Sequence, residues 1–288
     1  MATRLEIASP QIFKALEQRP ILSHSELQSL FRNKHSEWNL PQSLSFNKFV
    51  AFAEEKGKLK RHRFDFPHRA STRYTWGEID LADIIQSINP HGYFSHFTAM
   101  QHHDLTEQIS KTIYFNVEQQ LTGGGTEPTQ TGIDRAFKGK CRVTKNSVTV
   151  RDRTIRMLNG RNTGELGVVA MSQDAKHPKR VTNLERTLVD ITVRPIYSGG
   201  VFLVAQAFAS ASERVSVKRL ASYLRRLNYT YPYHQAVGYY MDRSGNYSEP
   251  QLGLIRELGE MEFDFYLDYG IKKTEYIEEW RLFVPQGF

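Results

Sequence analysis

The sequence predicts an α+β protein with three successive regions: a helical N-terminal segment ending in a hairpin, a mixed α/β region, and a mostly helical C-terminal part. Three observations predict this order. Apolar residues recur at helical spacing up to residue 57, alternating residues follow around Pro67, and strand-like and helix-like patterns are interspersed from about residue 90. At 288 residues the chain is long enough for one large domain or for two to three small ones, each with its own core, and two or three are favoured.

The composition is that of an ordinary globular protein, with 40% apolar and 24% charged residues. No apolar run approaches the roughly 20 residues that span a bilayer, and the N-terminal MATRLEIASP has no apolar signal-peptide core. The single Cys141 cannot form an internal disulfide and excludes a cysteine-rich zinc module. We therefore expect a cytoplasmic protein without a membrane partner.

Two helices are predicted at the N-terminus. The first, in SPQIFKALEQRP, is expected to begin with Ser9 as N-cap and Pro10 at the first helical position, and to end at Pro20. In the second, Ser23 and Glu26 have the spacing of a capping box and precede an apolar stripe.

The third helix, in SLSFNKFVAFAEEKG, is expected to begin near Ser43 or Ser45 and to end at Gly57. The following LKRHRFDFPHRASTRYTW alternates on both sides of Pro67, which is typical of a two-stranded ribbon. Three helices and a basic hairpin in this order predict a winged helix-turn-helix over residues 1–77.

Positive charge is concentrated in this region. Residues 1–77 hold 13 Lys and Arg against 7 Asp and Glu, whereas residues 78–288 hold 25 against 24. A winged helix would place the third helix against base edges and the hairpin against phosphates. The residues predicted to contact DNA are Gln42, Ser43, Ser45, Asn47 and Lys48 around the third helix, and Lys58, Lys60, Arg61, Arg63, Arg69 and Arg73 in the hairpin. The alternatives are a solvated face or a winged helix that contacts protein.

A linking helix is predicted over residues 78–89, and a second domain from residue 90. YFSHFTAMQHHDLTEQISKTIYFNV predicts a helix from an N-cap at Ser95 to about His103, and then a strand. His96, His102 and His103 lack an i, i+4 pair and an HExxH motif, so packed or capping histidines are favoured over a metal site. LTGGGTEPTQTG lacks the GK[ST] of a phosphate loop and predicts a flexible loop.

Two strand patterns follow this loop. SVTVRDRTIRMLNG predicts a strand or a hairpin, and LGVVAM predicts a buried strand. The loop from Leu121 to Gly132 and the basic stretch from Arg142 to Arg156 are interpreted as insertions.

The segment VTNLERTLVDI is a helix-length apolar stretch that also contains three charged residues. Thr182 or Asn183 is expected to cap it. Arg186 and Asp190 are spaced i, i+4, which predicts a surface or half-buried ion pair. Glu185 and Asp190 diverge around a helix, so they do not form an acid/base pair, and the segment is interpreted as structural.

The C-terminal part contains three further predicted helices, in VFLVAQAFASA, SVKRLASYLRRL and YPYHQAVGYYMDR, and a last strand in EEWRLFVP. MEFDFYLDYG predicts a strand with Glu262 and Asp264 on one face. Such a pair holds magnesium in nucleotidyltransferases, but the Gly-Ser element that accompanies it is absent, and a solvated face is favoured.

Four stretches resemble the AbiEi family, the antitoxin and autorepressor component of type IV toxin-antitoxin pairs in phage defence. They are the predicted winged helix, YFSHFTAMQHHDLTEQISKTIYF, VTNLERTLVDI with a nearby Gly-Gly, and EEWRLFVP. The resemblance implies that residues 1–77 repress the protein's own promoter by binding its repeats. It implies that residues 90–288 counteract a neighbouring nucleotidyltransferase-like toxin. The signature residues are Ser95, His96, His103, Glu185, Arg186 and Asp190.

The resemblance supplies no catalytic residues, so we expect a non-enzymatic protein without metal or cofactor. Its expected partners are double-stranded DNA with inverted repeats and a toxin, whose direct contact is left open. Residues 90–288 form one effector domain or divide into 90–180 and 181–288, and the chain is expected to be a monomer or weak dimer that pairs on DNA. The alternatives are a metal-dependent nucleic-acid enzyme, using Glu262 and Asp264, and a winged-helix protein adaptor.

Overall fold

The computed structural model describes residues 3–120, 127–172 and 178–288. The chain divides into two compact units: unit 1 is residues 1–91 with 148–150, and unit 2 is residues 92–147 with 151–288. Both helices and sheets are present, so the predicted α+β class is confirmed. Among the described helices, none has both the length and the apolar composition that crossing a membrane requires.

In its described residues, unit 1 has four helices and a small antiparallel sheet in the order β1-β3-β2. Its elements are α1 (Arg4–Glu17), β1 (Ile21–Ser23), α2 (His24–Lys34), α3 (Phe46–Lys56), β2 (Leu59–Phe64), β3 (Ser71–Trp76) and α4 (Leu81–Ile88). The capping box of α2 and the end of α3 at Gly57 are as predicted. Of the two predicted starts of α3, near Ser43 or Ser45, the structure has Ser45 as the N-cap.

The predicted start of α1 is wrong. The helix begins six residues earlier than Pro10, at Arg4, because Thr3 and Glu6 form a capping box. Pro10 therefore lies inside the helix, where it has no N–H for the carbonyl of Glu6. The hydroxyl of Ser9 donates to that carbonyl at 2.9 Å, so the acceptor is satisfied and the helix continues.

The core of unit 1 fixes the orientation of α3. Phe49, Val50 and Ala53 are buried on one side of this helix. The ring of Phe49 lies 4.9 Å from the ring centre of Phe31 and stacks on Trp38 at 6.0 Å. Because this side is held in the core, the opposite side of α3 faces solvent.

The elements after residue 91 alternate between strands and helices before a helical bundle. They are β4 (Tyr93–Phe94), α5 (His96–His102), β5 (Thr112–Asn116), α6 (Gln130–Lys138), β6 (Ser147–Val150), β7 (Arg153–Leu158), β8 (Val168–Ala170), β9 (Arg180–Thr182), α7 (Leu184–Val193), α8 (Val201–Ala211), α9 (Val217–Leu227), α10 (Tyr233–Ser244), α11 (Glu249–Arg256), β10 (Phe265–Tyr266), β11 (Thr274–Ile277) and β12 (Leu282–Pro285). One sheet holds β7, β5, β4, β9 and β8 side by side in that order, and a smaller sheet has the order β10-β12-β11.

Three predictions in unit 2 are corrected. LGVVAM does not form a buried strand, because β8 lies at the edge of its sheet and Val169 is 42% exposed. In the predicted loop Leu121–Gly132, residues 121–126 lie outside the described residues, while Gln130 already begins α6 after the N-cap Thr129. MEFDFYLDYG contributes only β10, so Glu262 and Asp264 precede the strand and do not share a strand face.

Helix α7 is the centre of unit 2. Helices α5, α8, α9 and α10 all contact it, and every residue from Glu185 to Thr192 is buried. Leu188, Val189 and Ile191 have no exposed surface. The sequence predicted one buried side, but the surrounding helices enclose all sides, which places the charged residues of this helix in the interior.

Candidate functional site

The N-terminal end of α3 presents polar side chains to solvent. Ser45 caps the helix, because its hydroxyl accepts the N–H of Lys48 at 3.4 Å. The five residues predicted to lie there are all exposed, namely Gln42, Ser43, Ser45, Asn47 and Lys48. A helix N-terminus with a nearby cation attracts anions, so this end suits contact with nucleic acid.

The β2–β3 hairpin carries cations on both of its faces. Strand β2 pairs with β3 from Leu59 opposite Trp76 to Phe64 opposite Ser71. Because strand residues alternate, Arg61 and Arg63 share one face and Lys60 lies on the other. Of the predicted hairpin cations, five are exposed, namely Lys58, Lys60, Arg61, Arg63 and Arg69.

Three of these cations have carboxylate partners within unit 1. The pairs are Lys60 with Glu78, Arg61 with Glu54 at 3.1 Å, and Arg63 with Asp65 at 2.7 Å. Such exposed pairs contribute about 0–1 kcal/mol each, so exchange of the carboxylate for a phosphate costs little. Among the described residues, Lys48, Lys58 and Arg69 have no acidic partner within 4.0 Å.

Arg73 does not belong to this exposed set. Its guanidinium is half-buried and donates to the carbonyl oxygens of Ser87 at 2.8 Å and Ile88 at 3.2 Å, at the C-terminus of α4. Burial lowers the pKa of Arg73, although Glu26 acts in the opposite direction. The side chain satisfies helix-end carbonyls, which is a structural role in place of the predicted phosphate contact.

The two most specific family-like segments lie side by side in unit 2. Phe94 of β4 pairs in parallel with Val181 of β9. The Nε2 of His103 donates to the carbonyl oxygen of Thr182 at 2.6 Å, which links the end of α5 to the start of the VTNLERTLVDI segment. His103 is therefore a structural connection between these two segments.

Glu185 stabilises the start of α9. Its buried carboxylate accepts the N–H of Ser216, the N-cap of that helix, at 3.0 Å. The guanidinium of Arg219 lies 3.6 Å from the second carboxylate oxygen. An acid at a helix N-terminus interacts favourably with the helix dipole, so Glu185 has a structural role.

Arg186 and Asp190 form a buried ion pair, with Nε 2.7 Å from Oδ1 and 4% and 7% of the two residues exposed. The predicted surface or half-buried pair is therefore wrong, because α7 is enclosed on all sides. Nη1 of Arg186 also donates to the Leu166 carbonyl at 2.7 Å and to the Thr163 hydroxyl at 3.1 Å. Burial alone would lower the pKa of Arg186, but the attraction of Asp190 outweighs it and the pKa is raised.

His96 is a strained and neutral histidine near this pair. Its φ of 50° lies in the left-handed region, which non-glycine residues rarely adopt. Ser95 does not cap α5 by a side-chain bond; its hydroxyl hydrogen-bonds to Nδ1 of His96 at 2.9 Å. Burial lowers the pKa of His96 to about 4, against the opposing attraction of Asp190. At neutral pH the ring is therefore uncharged.

Arg186, Asp190 and His96 line a cavity of about 750 Å³ within unit 2, here called the unit 2 cavity. Sequence reasoning missed most of its wall, including Arg161, Arg194 and Tyr229. These residues come from separate segments of the chain, so no local pattern marks them. Two signals were available: the signature residues His96, Arg186 and Asp190, and the basic stretch from Arg142, whose first three residues line the cavity.

The predicted carboxylate pair near β10 is not assembled as a metal site. Asp264 accepts from Arg281 Nε at 2.9 Å and from the Tyr276 hydroxyl at 2.7 Å. Within residues 3–120, 127–172 and 178–288, no group of three His, Cys, Asp or Glu is placed to hold a metal ion.

No family model matches the chain, and no curated protein matches it. Among solved structures, the chain is similar to the crystal structure of the RV2827C protein from Mycobacterium tuberculosis. The match has a TM-score of 0.59 and 12% identity, and it covers 96% of this chain and 91% of that chain. At this identity the likeness concerns the fold alone, and it extends over nearly the whole length of both proteins.

Proposed function

We propose that this chain is a DNA-binding autorepressor and antitoxin, with residues 1–77 acting as a winged helix-turn-helix. The observation that carries the DNA-binding half is that unit 1 combines an exposed polar helix end on α3 with five exposed cations on the adjoining hairpin. This combination fits a helix that reads base edges and a wing that holds phosphates.

The order of elements supports a winged helix in unit 1. α1, β1, α2 and α3 are followed by the β2–β3 hairpin, and β1 completes the sheet by pairing with β3. In a helix-turn-helix the recognition helix enters the major groove with its N-terminal residues at base edges. This corresponds to α3, whose opposite side is held in the core.

Each exposed residue then has an expected role. Asn47 suits base readout, since an Asn side chain bonds adenine in the major groove, and Lys48 suits guanine or a phosphate. Lys58 and Arg69 are expected to bind phosphates directly. The paired hairpin cations are expected to do so after releasing their carboxylates. Arg73 keeps its structural role.

The antitoxin half of the proposal rests on the resemblance to the AbiEi family. The structure adds one supporting observation: the two family-like segments contact each other directly. Phe94 pairs with Val181, and His103 donates a hydrogen bond to Thr182. We propose that residues 90–288 oppose the toxin encoded beside this gene. Two copies of the chain would meet on the inverted repeats of the promoter.

The DNA-binding half is tested by gel-shift titration of the full chain with the DNA upstream of its own gene and with a scrambled duplex. We expect tighter binding to the upstream DNA. Asn47→Ala should reduce the difference in binding free energy between the two duplexes by about 1–3 kcal/mol. Lys58→Ala should weaken binding to both duplexes equally. Equal affinity of the unchanged protein for both duplexes would exclude sequence-specific repression.

The antitoxin half is tested separately by expressing the neighbouring gene alone and together with this chain. We expect growth arrest by the neighbour alone and growth in the presence of this chain. Arrest that this chain does not relieve would contradict the antitoxin role and leave the DNA-binding half untouched.

A further inference from the structure

The unit 2 cavity has the dimensions of a ligand site. Its volume of about 750 Å³ lies in the roughly 300–1,000 Å³ range of small-molecule pockets. All of its lining residues belong to unit 2. A single inorganic anion would leave most of this space unfilled.

The wall of this cavity has an excess of positive charge. It contains Arg142, Arg161, Arg186 and Arg194, and Asp190 is its one acidic residue among the described part of the chain. Arg186 offsets Asp190 through their buried pair. Three arginines therefore face the cavity without a compensating acid, which favours an anionic ligand.

Two of the three remaining arginines, Arg161 and Arg194, are held in place, and all three keep donors available. Arg161 uses Nη1 for the carbonyl oxygens of Leu227 at 2.9 Å and Asn228 at 3.0 Å. Arg194 uses Nη1 for the sulfur of Cys141 at 3.0 Å. Within the described residues, their other guanidinium nitrogens and the exposed side chain of Arg142 donate to no protein group. Fixed guanidinium groups with open N–H donors match phosphate oxygens.

Aromatic rings lie next to these arginines. The wall includes five tyrosines, namely Tyr197, Tyr229, Tyr231, Tyr233 and Tyr269. The guanidinium carbon of Arg161 is 6.0 Å from the ring centre of Tyr229, and that of Arg194 is 5.6 Å from the ring centre of Tyr269. Guanidinium N–H groups that can donate to a phosphate, next to flat aromatic rings, suit a ligand that has both a phosphate and an aromatic base.

His96 carries a ring nitrogen, Nε2, that no described residue binds. It is 9% exposed, and no hydrogen bond joins its Nε2 to any described residue, while Nδ1 is bound by Ser95. The strained φ of 50° holds the ring in the cavity wall. Strained residues that face a cavity are typical of binding sites, and an open ring nitrogen can bond a sugar hydroxyl or a base edge.

We propose that the unit 2 cavity binds a nucleoside phosphate, with the phosphate on Arg142 and Arg194 and the base against the tyrosines. The ligand is a free nucleotide or the phosphorylated end of a nucleic-acid strand, because both present the same chemistry. Nothing in this site depends on the DNA-binding surface of unit 1.

Calorimetric titration of the full chain with ATP, GTP, CTP and UTP, and with inorganic phosphate, tests the proposal. At least one nucleotide should bind with one-to-one stoichiometry and at least tenfold more tightly than phosphate. Arg142→Ala should weaken binding of that nucleotide about tenfold, since it removes one charge-assisted contact at an exposed position. Arg226→Ala, which removes an exposed arginine outside the cavity, should leave affinity unchanged.

Two further titrations identify the ligand's source and the site. A short 5′-phosphorylated single strand that binds more tightly than every nucleotide would identify a strand end, and the reverse would identify a free nucleotide. Simultaneous replacement of Lys60, Arg61 and Arg63 by Ala should leave nucleotide binding intact. The proposal is overturned if neither nucleotides nor the strand bind, if phosphate binds equally well, or if binding survives Arg142→Ala and is lost in the hairpin variant.

Discussion

Replacement of Asp190 by Asn should destabilise unit 2 strongly. The substitution keeps the shape of the side chain but removes the negative charge 2.7 Å from Nε of Arg186, which is 4% exposed. The protein would then contain an arginine whose charge is buried without a counter-ion. Removal of one partner of a buried pair costs about 3–5 kcal/mol, against about 0–1 kcal/mol for an exposed pair.

Native-state hydrogen exchange of the α7 amides measures this cost directly, because these amides belong to the enclosed centre of unit 2. We expect the free energy of opening of α7 to fall by about 3–5 kcal/mol. The control substitution Asp152→Asn removes an exposed carboxylate of the same unit. It should change the free energy of opening of α7 by less than about 0.5 kcal/mol. A loss below about 1 kcal/mol for Asp190→Asn would refute the buried, charged state of the pair.

Two further predictions concern unit 2. Since burial lowers the pKa of His96 from 6.5 to about 4, the unfolded chain binds more protons between these values, and stability falls by about 3 kcal/mol as pH drops through this window. Asn also adopts the left-handed φ, so His96→Asn should keep the backbone and remove this part of the pH dependence. Urea unfolding at pH 7 and pH 4.5 measures the difference, and an unchanged pH dependence would contradict the neutral histidine. Gly238→Ala in α10 should cost about 1–3 kcal/mol in the same assay, because its Cβ would lie 2.0 Å from the buried ring of Trp280. In Gly253→Ala of α11, the new Cβ would meet no atom within 4 Å, so the free energy of unfolding should rise by up to about 1 kcal/mol. Equal effects of the two substitutions would contradict the close contact between Gly238 and Trp280.

Local signals predicted the elements whose ends are set by a few neighbouring residues. The capping box of Ser23 and Glu26 and the N-cap at Ser45 were readable in this way, as was the β2–β3 hairpin. The start of α1 was missed although Thr3 and Glu6 have capping-box spacing, because Pro10 was interpreted as the first helical residue. Helix α11 also begins with a capping box, at Ser248 and Gln251.

Burial was predictable only where it follows from a residue's own helix or strand. The i, i+4 spacing of Arg186 and Asp190 predicts contact between them, but their removal from water depends on four helices from other parts of the chain. The same holds for Arg73, whose acceptors lie 14 and 15 residues further along the chain. The charge excess in the sequence predicted a cationic hairpin. Which of its cations stay exposed depends on the tertiary fold, and the sequence pattern does not show it.

The sequence patterns marked single residues of the unit 2 cavity, such as Arg186 and Asp190, but did not predict a cavity. Its wall combines side chains from Arg142, Arg161, Arg194 and Tyr229, which lie far apart in the chain and are brought together by the sheet and the helical bundle. His96 was predicted to be a packed or capping histidine, and its strained backbone and neutral ring are visible only in the folded chain.

The salt dependence of binding to the upstream DNA tests the central claim most directly. Fluorescence anisotropy would give Kd across a salt series for the unchanged protein, for the combined replacement of Lys60, Arg61 and Arg63 by Ala, and for a control. The control replaces three exposed cations of unit 2, namely Arg226, Lys272 and Lys273, and so changes the net charge equally.

Because each phosphate contact contributes about 0.9 to the slope of log K against log salt, the hairpin variant should have a slope smaller by about 2 to 3, with weaker binding to every sequence. The control should match the unchanged protein. Unaltered affinity and slope in the hairpin variant, or an equal loss in the control, would contradict the assignment of unit 1 as the DNA-binding surface.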